Sequence, residues 1–398
     1  MLIRELRIQN FRRFEDLKVS FEEDLTVLVA RNGQGKTSIL DAITVLLGPF
    51  VGAFDHGKSR GFSPWDARRE LDIQSMEPNE HWPVHADGVV SLSEVPLSDG
   101  EIRDHSVSRE LAGPKGRTTT RNVTALINHG RYYQACIRTP VDHWLTLPVV
   151  AYYGTGRLWK SHTNRERKKV LTLNRSLGYE DCLSPASNFI QVQQWMDRAS
   201  RAQAQEAARL ETPVWAPRLQ SIQSAVDSIL EDEGWSQFAY SYDFEELTMV
   251  LKGHGRLPVS QMSDGVRGVV SLVADLAFRC TRLNSTYGEN AVRETNGIVL
   301  IDEVDQHLHP GWQQRILPSL RNAFPKIQFI VSTHSPEVLS TVESRQIRIL
   351  DNGKCYGAPA GALGAESSRL LQTVLGLKSL RPPVNEVDEL NEYLELVY

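Results

Sequence analysis

Cysteine is scarce and scattered. Cys136, Cys182, Cys280 and Cys355 form no C-x-x-C pair, a pattern that suggests neither a zinc site nor a disulfide framework and leaves reduced cytosolic thiols as the expectation. Long apolar runs are also missing. The longest, around Val266 to Phe278, is interrupted by Asp275, and the opening Met1-Leu2-Ile3-Arg4-Glu5 has no apolar signal core. A cytoplasmic protein with no membrane partner is expected. Positive charge is not in excess: 44 Lys and Arg stand against 49 Asp and Glu, a formal net charge of −5 over 398 residues. Contact with nucleic acid would therefore need a local basic patch. No sustained heptads occur, which excludes a long coiled coil. What remains is ordinary globular composition, 41% hydrophobic and 23% charged, enough for a large core.

Periodicity divides the chain. Strands are expected over Leu2 to Ile8 and Leu17 to Phe21, and a buried strand over Leu25 to Val29 runs into a loop and a helix. These fall within a segment 1–51; a loop- and β-rich stretch occupies 52–146, and a return strand with its loop occupies 147–164. A mostly helical stretch covers 165–256, broken near Pro213 and Pro217. Over 257–355 a helix from Ser263, strands at Ile298 to Ile301, Ile327 to Ser332 and Gln346 to Leu350, and intervening helices alternate. The remaining 356–398 read as a helical segment. Strands alternating with helices imply a mainly parallel α/β sheet covered on both faces.

Ala30-Arg31-Asn32-Gly33-Gln34-Gly35-Lys36-Thr37 lies between a buried strand and a helix, where a phosphate-binding loop belongs. Glycines allow successive backbone N–H groups to face phosphate oxygens, and the helix start adds its positive dipole end. Asn32, Gly33, Gln34, Gly35, Lys36, Thr37 and Ser38 are the candidate ATP contacts. Lys36 would reach the β- and γ-phosphates, and Thr37 would hold Mg²⁺. Ala30 replaces the usual first glycine and tolerates positive φ poorly. Far downstream, Ile298-Val299-Leu300-Ile301 ends in Asp302-Glu303. Two carboxylates at the edge of a buried strand suit a metal and a water, Asp302 on the Mg²⁺ shell and Glu303 as general base.

Gln261-Met262-Ser263-Asp264-Gly265-Val266-Arg267 resembles the ABC signature in its SMC-like form, Asp302 to Pro310 resembles a Walker B strand running into a D-loop, and Ser332-Thr333-His334-Ser335-Pro336 resembles a switch-histidine loop. The opening Ile8-Gln9-Asn10-Phe11-Arg12-Arg13-Phe14 is similar to the N-terminal element of RecF, SMC and OLD-type ATPases. Together with Val150 to Arg157, these motifs resemble the compact ATPases called "predicted ATP-binding protein involved in virulence", close to the PtuA-type ATPases of Septu and retron anti-phage systems. The resemblance implies an ABC-type ATPase head with an N-terminal antiparallel β layer, a loop-rich insertion and a helical insertion. It implies Arg12 near the nucleotide, Ser263 and Gly265 acting on the γ-phosphate of a second copy, Asp305 touching that copy, and His334 as the switch. It further implies a head-to-head dimer or higher oligomer, a separate nuclease effector of HNH type, and nucleic acid or a reverse-transcriptase/RNA complex as further partners.

Plainer readings stand beside these. His334 could be a satisfied core histidine, and Asp305 a helix N-cap. His307 and His309 have the look of a metal pair but lack a third ligand pattern, which favours a structural or interface role. The basic run Arg165, Arg167, Lys168 and Lys169 suits a solvated helix face or a nucleic-acid contact. Gln191, Gln193 and Gln194 lie in a helical stretch and none follows the strand ending at Tyr153, so the Q-loop glutamine has no assignment. The leading function is an ATPase controlling a nucleic-acid-directed effector in bacterial defence. The alternatives are a DNA repair ATPase of RecF type and an OLD-type nuclease component.

Overall fold

A computed structural model describes residues 1–71, 78–93, 102–139, 145–156, 174–185, 189–210, 212–377 and 379–381. Its centre is a six-stranded sheet in the order β15-β14-β3-β13-β12-β8, built from β3 (Leu25–Ala30), β8 (Val149–Tyr153), β12 (Gly297–Ile301), β13 (Ile327–Thr333), β14 (Ile347–Asp351) and β15 (Lys354–Gly357). All pairings are parallel except the β14–β15 hairpin. β3, β8, β12 and β13 are buried at every position, as predominantly apolar strands covered on both faces are; their few buried polar residues, such as Thr26, Gln328 and Ser332, are hydrogen-bonded. The hairpin turns on Asn352 and Gly353, both with positive φ, the conformation that suits a two-residue turn. Ala30, Tyr153, Ile301, Thr333 and Asp351 all end strands at the carboxyl edge, the place where such sheets bind ligands.

A second, antiparallel sheet in the order β2-β1-β6-β7 covers one side of the core. It contains β1 (Leu2–Phe11), β2 (Phe14–Ser20), β6 (Val84–Ser93) and β7 (Ile102–Leu111). Residues 52–146 had been expected as an insertion, yet β6 pairs with β1 from Leu2↔Ser91 to Gln9↔His85 and completes the N-terminal layer. That stretch also holds the short hairpin β4 (Arg68–Leu71) and β5 (Pro78–His81), and a helix α2 (Thr124–Arg138) that the loop-rich composition concealed. α2 lies against α1 (Lys36–Val51), where a Cβ on Gly130 would stand 2.7 Å from the Phe50 carbonyl. Among the described residues between 165 and 256, the expectation of helix holds for α3 (Phe189–Arg209) and α4 (Trp215–Leu230). β9 (Trp235–Ser241), β10 (Glu246–Leu251) and β11 (Gly255–Pro258) form an antiparallel meander instead. Trp235, Phe238, Leu247 and Met249 are buried there, and the aromatic, β-branched alternation outweighed the helical neighbourhood.

The rest of the chain wraps the parallel sheet with α5 (Asp264–Leu283), α6 (Ala291–Glu294), α7 (Pro310–Ala323), α8 (Pro336–Leu339) and α9 (Ser367–Thr373). Asp275, which interrupts the apolar run on α5, is fully buried and paired with Arg279 at 2.8 Å, and it accepts a 2.7 Å bond from the Tyr153 hydroxyl. The expected helix text at Asp388 to Val397 and the basic run Arg165 to Lys169 lie outside the described residues, as does Arg157. No described helix is long and apolar enough to cross a membrane.

The two layers are stitched by one buried amide. Gln328 on β13 accepts from Ile3 N at 2.9 Å and donates to the carbonyls of Ile3 (2.8 Å) and Glu22 (2.7 Å). It behaves as an extra piece of backbone. Gln328→Ala removes three hydrogen bonds to main-chain groups, two of them buried, and should cost about 3 kcal/mol, read as a lowered denaturation midpoint with nucleotide absent.

Candidate nucleotide site

The loop between β3 and α1 takes its shape from two left-handed glycines, Gly33 at φ +75° and Gly35 at φ +95°. A Cβ on Gly33 would meet nothing within 4 Å, so the requirement there is conformational. At Gly35 it is steric as well, because a Cβ would stand 2.5 Å from the Phe14 ring. Ala30 causes no difficulty: it closes β3 in register with Leu350 and is not among the positive-φ residues. α1 then starts at Lys36 with its first N–H groups turned to the loop.

The carboxyl edge of the sheet brings the distant motifs onto this loop. The Lys36 ammonium donates to the Ala30 carbonyl at 3.2 Å and to Nε2 of His334 at 2.5 Å. Thr37 Oγ1 donates to Asp302 Oδ2 at 2.7 Å, while Ser332 Oγ donates to Asp302 Oδ1 at 2.5 Å and accepts from Glu303 N at 2.8 Å. Glu303 is held at φ +47°, a conformation that non-glycine residues rarely adopt. Asp305 accepts from Thr333 Oγ1 at 2.5 Å. The N-cap of α7 is His309, whose Nδ1 accepts from Gly311 N, so the capping role considered for Asp305 falls to His309. Among the described residues no trio of His, Cys, Asp or Glu has the arrangement of a metal cage. Two adjacent oxygens, from Thr37 and Asp302, fit a Mg²⁺ that keeps waters and phosphate oxygens as its other ligands.

Electrostatics tie Lys36 to His334. Burial lowers the Lys36 pKa, and Asp302, Glu303 and Asp305 pull it partly back. Burial first and the Lys36 charge second push His334 below the ordinary imidazole range, so the neutral ring accepts from the ammonium.

Arg12, for which the N-terminal element implies a place near the nucleotide, lies beside the start of α1. Its guanidinium is locked between Asp41 (2.7 Å) and Asp66 (2.9 Å) and reaches Ser38 Oγ only at 3.4 Å. Burial alone would lower its pKa, but Asp41 and Asp66 more than offset this and raise it. The arginine that touches the phosphate loop is Arg13, which donates to the Gly33 carbonyl. Arg60, which no motif flagged, pairs with the other oxygen of Asp41 at 2.8 Å. Its backbone lies directly on α1, since a Cβ on Gly48 would be 2.5 Å from the Arg60 carbonyl. Behind it, Arg109 donates to the carbonyls of Arg60 (2.5 Å) and Val45 (2.8 Å). Pro49 inside α1 has no N–H for the Val45 carbonyl, and the arginine supplies the missing donor. Burial lowers the pKa of this guanidinium to about 10. The i, i+4 spacing of Thr37 and Asp41, which puts both on one face of α1, is a sequence signal that could have found Asp41.

Ser263 caps α5, is exposed, and bonds only within its own helix, to Val266 N and Arg267 N. Gly265 is constrained within the chain, where a Cβ would stand 2.6 Å from the His307 carbonyl of the D-loop. Of the glutamines considered for a Q-loop, Gln191 bonds Glu180 and Gln193 bonds the Glu245 carbonyl. The end of β8 presents Tyr152, whose hydroxyl pKa is raised by burial and then by Asp41 and Asp302.

The chain is similar to known proteins. A family model described as "AAA domain" matches residues 5–232, and a second AAA-domain model, whose description also mentions AbiEii toxin and a Type IV TA system, matches residues 171–340. "Retron Ec83 probable ATPase" of Escherichia coli is 26% identical over 459 aligned positions, covering 100% of this chain and 80% of the relative. "Septu protein PtuA" of Bacillus mycoides is 37% identical over 92 residues, 23% of this chain and 12% of that protein. A crystal structure of the SmcHead bound to the C-winged helix domain of ScpA superimposes with a TM-score of 0.50 at 15% identity, covering 89% of this chain and 96% of that one.

Since the unfolded chain binds the imidazolium proton more readily than the folded site does, stability should fall as pH drops below the unfolded imidazole value of about 6.5. Melting temperatures recorded without nucleotide from pH 7.5 to 5.5 should show a shallower acid limb in His334→Gln than in the native chain.

Proposed function

We propose a way of working for this chain, which belongs to the AAA-domain family and is an ATPase of SMC/RecF-like type related to retron and Septu defence ATPases: ATP closes two heads against each other, and the pairing controls a separate nucleic-acid-directed effector. The observation that carries the hydrolytic part is the contact of Thr37 with Asp302 beside the Lys36–His334 pair. Gly33, Gln34, Gly35 and Lys36 would cradle the phosphates, with Asn32 and Ser38 at the margins. Thr37 and Asp302 would hold Mg²⁺, which supplies charge neutralisation at the phosphates when bound. Glu303 would orient and deprotonate the attacking water. Its positive-φ backbone is held by the bond from Glu303 N to Ser332 Oγ. When phosphate oxygens take the Lys36 ammonium, His334 loses that donor and becomes free to sense the γ-phosphate. The short Lys36–His334 contact supports this exchange.

Pairing rests on Ser263. An exposed serine at the start of a 20-residue helix, bonded only locally, offers its N–H end to an anion on another molecule. Asp305 would report closure through Thr333 to the switch loop. The likeness to retron and Septu proteins supports a defence role in which a nuclease of HNH type is the effector held or released by the closed pair, with nucleic acid or an associated RNA complex as a further contact.

Lys36→Ala should abolish turnover, and Glu303→Gln should slow it by about 100-fold or more while ATP binding persists. Mixing Ser263→Arg with Lys36→Ala, each inactive alone, should restore part of the activity if sites are shared. No recovery in verified mixed dimers would overturn the shared site. Mg²⁺-dependent cleavage of DNA or RNA by the purified chain alone would instead support the OLD-type nuclease reading.

A further inference from the structure

β8 ends in two neighbouring tyrosines, and strand alternation sends them to opposite faces of the parallel sheet. Tyr153 faces α5, where its hydroxyl donates to Asp275 at 2.7 Å. Tyr152 therefore faces the other way, and it is only 3% exposed. A tyrosine buried this deeply ordinarily bonds its hydroxyl, as Tyr153 and Tyr179 do. The Tyr152 hydroxyl has no hydrogen-bond partner among the described residues.

Register fixes what it faces. Tyr152 is paired with Leu300 on β12, and Asp302 N continues that ladder by donating to the Tyr153 carbonyl at 2.8 Å. Asp302 lies two residues beyond Leu300, hence on the same face as Tyr152 and one step nearer the carboxyl edge. On this face Asp302 meets Thr37 of α1, and Asp41 follows Thr37 by one turn on the same side of that helix. Burial first, then the charges of Asp41 and Asp302, raise the Tyr152 pKa, so the phenol stays neutral beside both carboxylates. It bonds to neither. Each Asp302 oxygen accepts from a hydroxyl, of Thr37 or Ser332, and each Asp41 oxygen faces a guanidinium, of Arg12 or Arg60. A neutral hydroxyl with its lone pairs unused thus stands against the residues that would hold Mg²⁺.

We propose that Tyr152 is a positioning residue of this metal site, its phenol oxygen accepting a hydrogen bond from a water that Mg²⁺ retains beside Asp302. Mg²⁺ dehydrates reluctantly and keeps several waters, and outer-shell partners of this kind orient an ion's ligands. The inference rests on the ATPase reading and adds a residue from β8, a strand that supplies none of the ATP or Mg²⁺ contacts named above.

Tyr152→Phe removes the hydroxyl and keeps the ring. The full native chain and this variant are titrated calorimetrically with a non-hydrolysable ATP analogue in EDTA. Mn²⁺ is then titrated into each chain with the analogue in excess and followed by electron paramagnetic resonance. Tyr152→Phe should bind Mn²⁺ at least about tenfold more weakly, the usual loss when an outer-shell partner is removed. Its analogue affinity in EDTA should stay within about twofold, and its melting temperature without nucleotide within about 2 °C, of the native chain. A ring that serves packing alone would leave the metal affinity untouched. Unchanged Mn²⁺ affinity, or analogue affinity in EDTA falling as far as that for Mn²⁺, would overturn the role of Tyr152 and leave the ATPase reading standing. Should Tyr152→Phe not fold, fluorotyrosine placed at position 152 alone gives a second reading. Its fluorine resonance should move when Mg²⁺ is added to the analogue-bound chain, and a resonance that stays in place would equally overturn the role. A native chain that binds no analogue, with or without Mn²⁺, would overturn both readings.

Discussion

The Asp302 carboxylate holds the site together from both sides. One oxygen accepts from Thr37 at the start of α1, and the other accepts from Ser332 on β13, which in turn holds Glu303 N. A buried carboxylate is costly unless its oxygens accept hydrogen bonds, and here a hydroxyl donates to each. The arrangement is therefore a fixed point: the phosphate loop, the acid-ended strand and the switch loop cannot shift independently without leaving a charge unpaired. Mg²⁺ would enter at the Thr37–Asp302 contact, so binding exchanges one satisfied arrangement for another without creating a site from open chain.

α1 carries the loop and is held along its whole length. Near its start, Asp41 is gripped by Arg12 from the β1–β2 turn and by Arg60 from the segment after the helix. Near its end, Pro49 frees the Val45 carbonyl and Arg109 from β7 takes it. The N-terminal antiparallel layer is thus more than a cover. It fixes the helix whose first turn carries Lys36 and Thr37, and Arg13 from the β1–β2 turn reaches the loop at Gly33. Any displacement of this layer relative to the parallel sheet acts on the phosphate loop, and Gln328 resists that displacement with three hydrogen bonds, two of them buried.

Local motifs were legible because their chemistry is local. Gly33, Gly35 and Lys36 occupy a strand-to-helix turn, and the apolar run before Asp302 forms a strand buried on both faces; both follow from residue type and spacing. The meander over 235–258 and helix α2 were missed for the opposite reason. Their sequences are compatible with more than one element, and packing against neighbours made the choice. Arg12 shows the same limit within the site. Its place in the N-terminal element was visible, whereas its capture by Asp41 and Asp66 depends on residues 29 and 54 positions away.

The sequence by itself determined the nucleotide chemistry: a glycine-shaped anion cradle with its lysine and threonine, a pair of carboxylates ending a buried strand, and a histidine after a second such strand. Those features arise from φ preferences, helix-end polarity and strand burial, all of which act over a few residues. Only the tertiary structure decided which of them touch. Strand order set β12 and β13 beside β3 and so placed Asp302 on Thr37 and His334 on Lys36. It placed the β14–β15 hairpin on the opposite side of β3, next to the loop at Ala30, Arg31 and Gln34. Strand order is settled by the burial of whole faces across hundreds of residues, and no single stretch of sequence carries it.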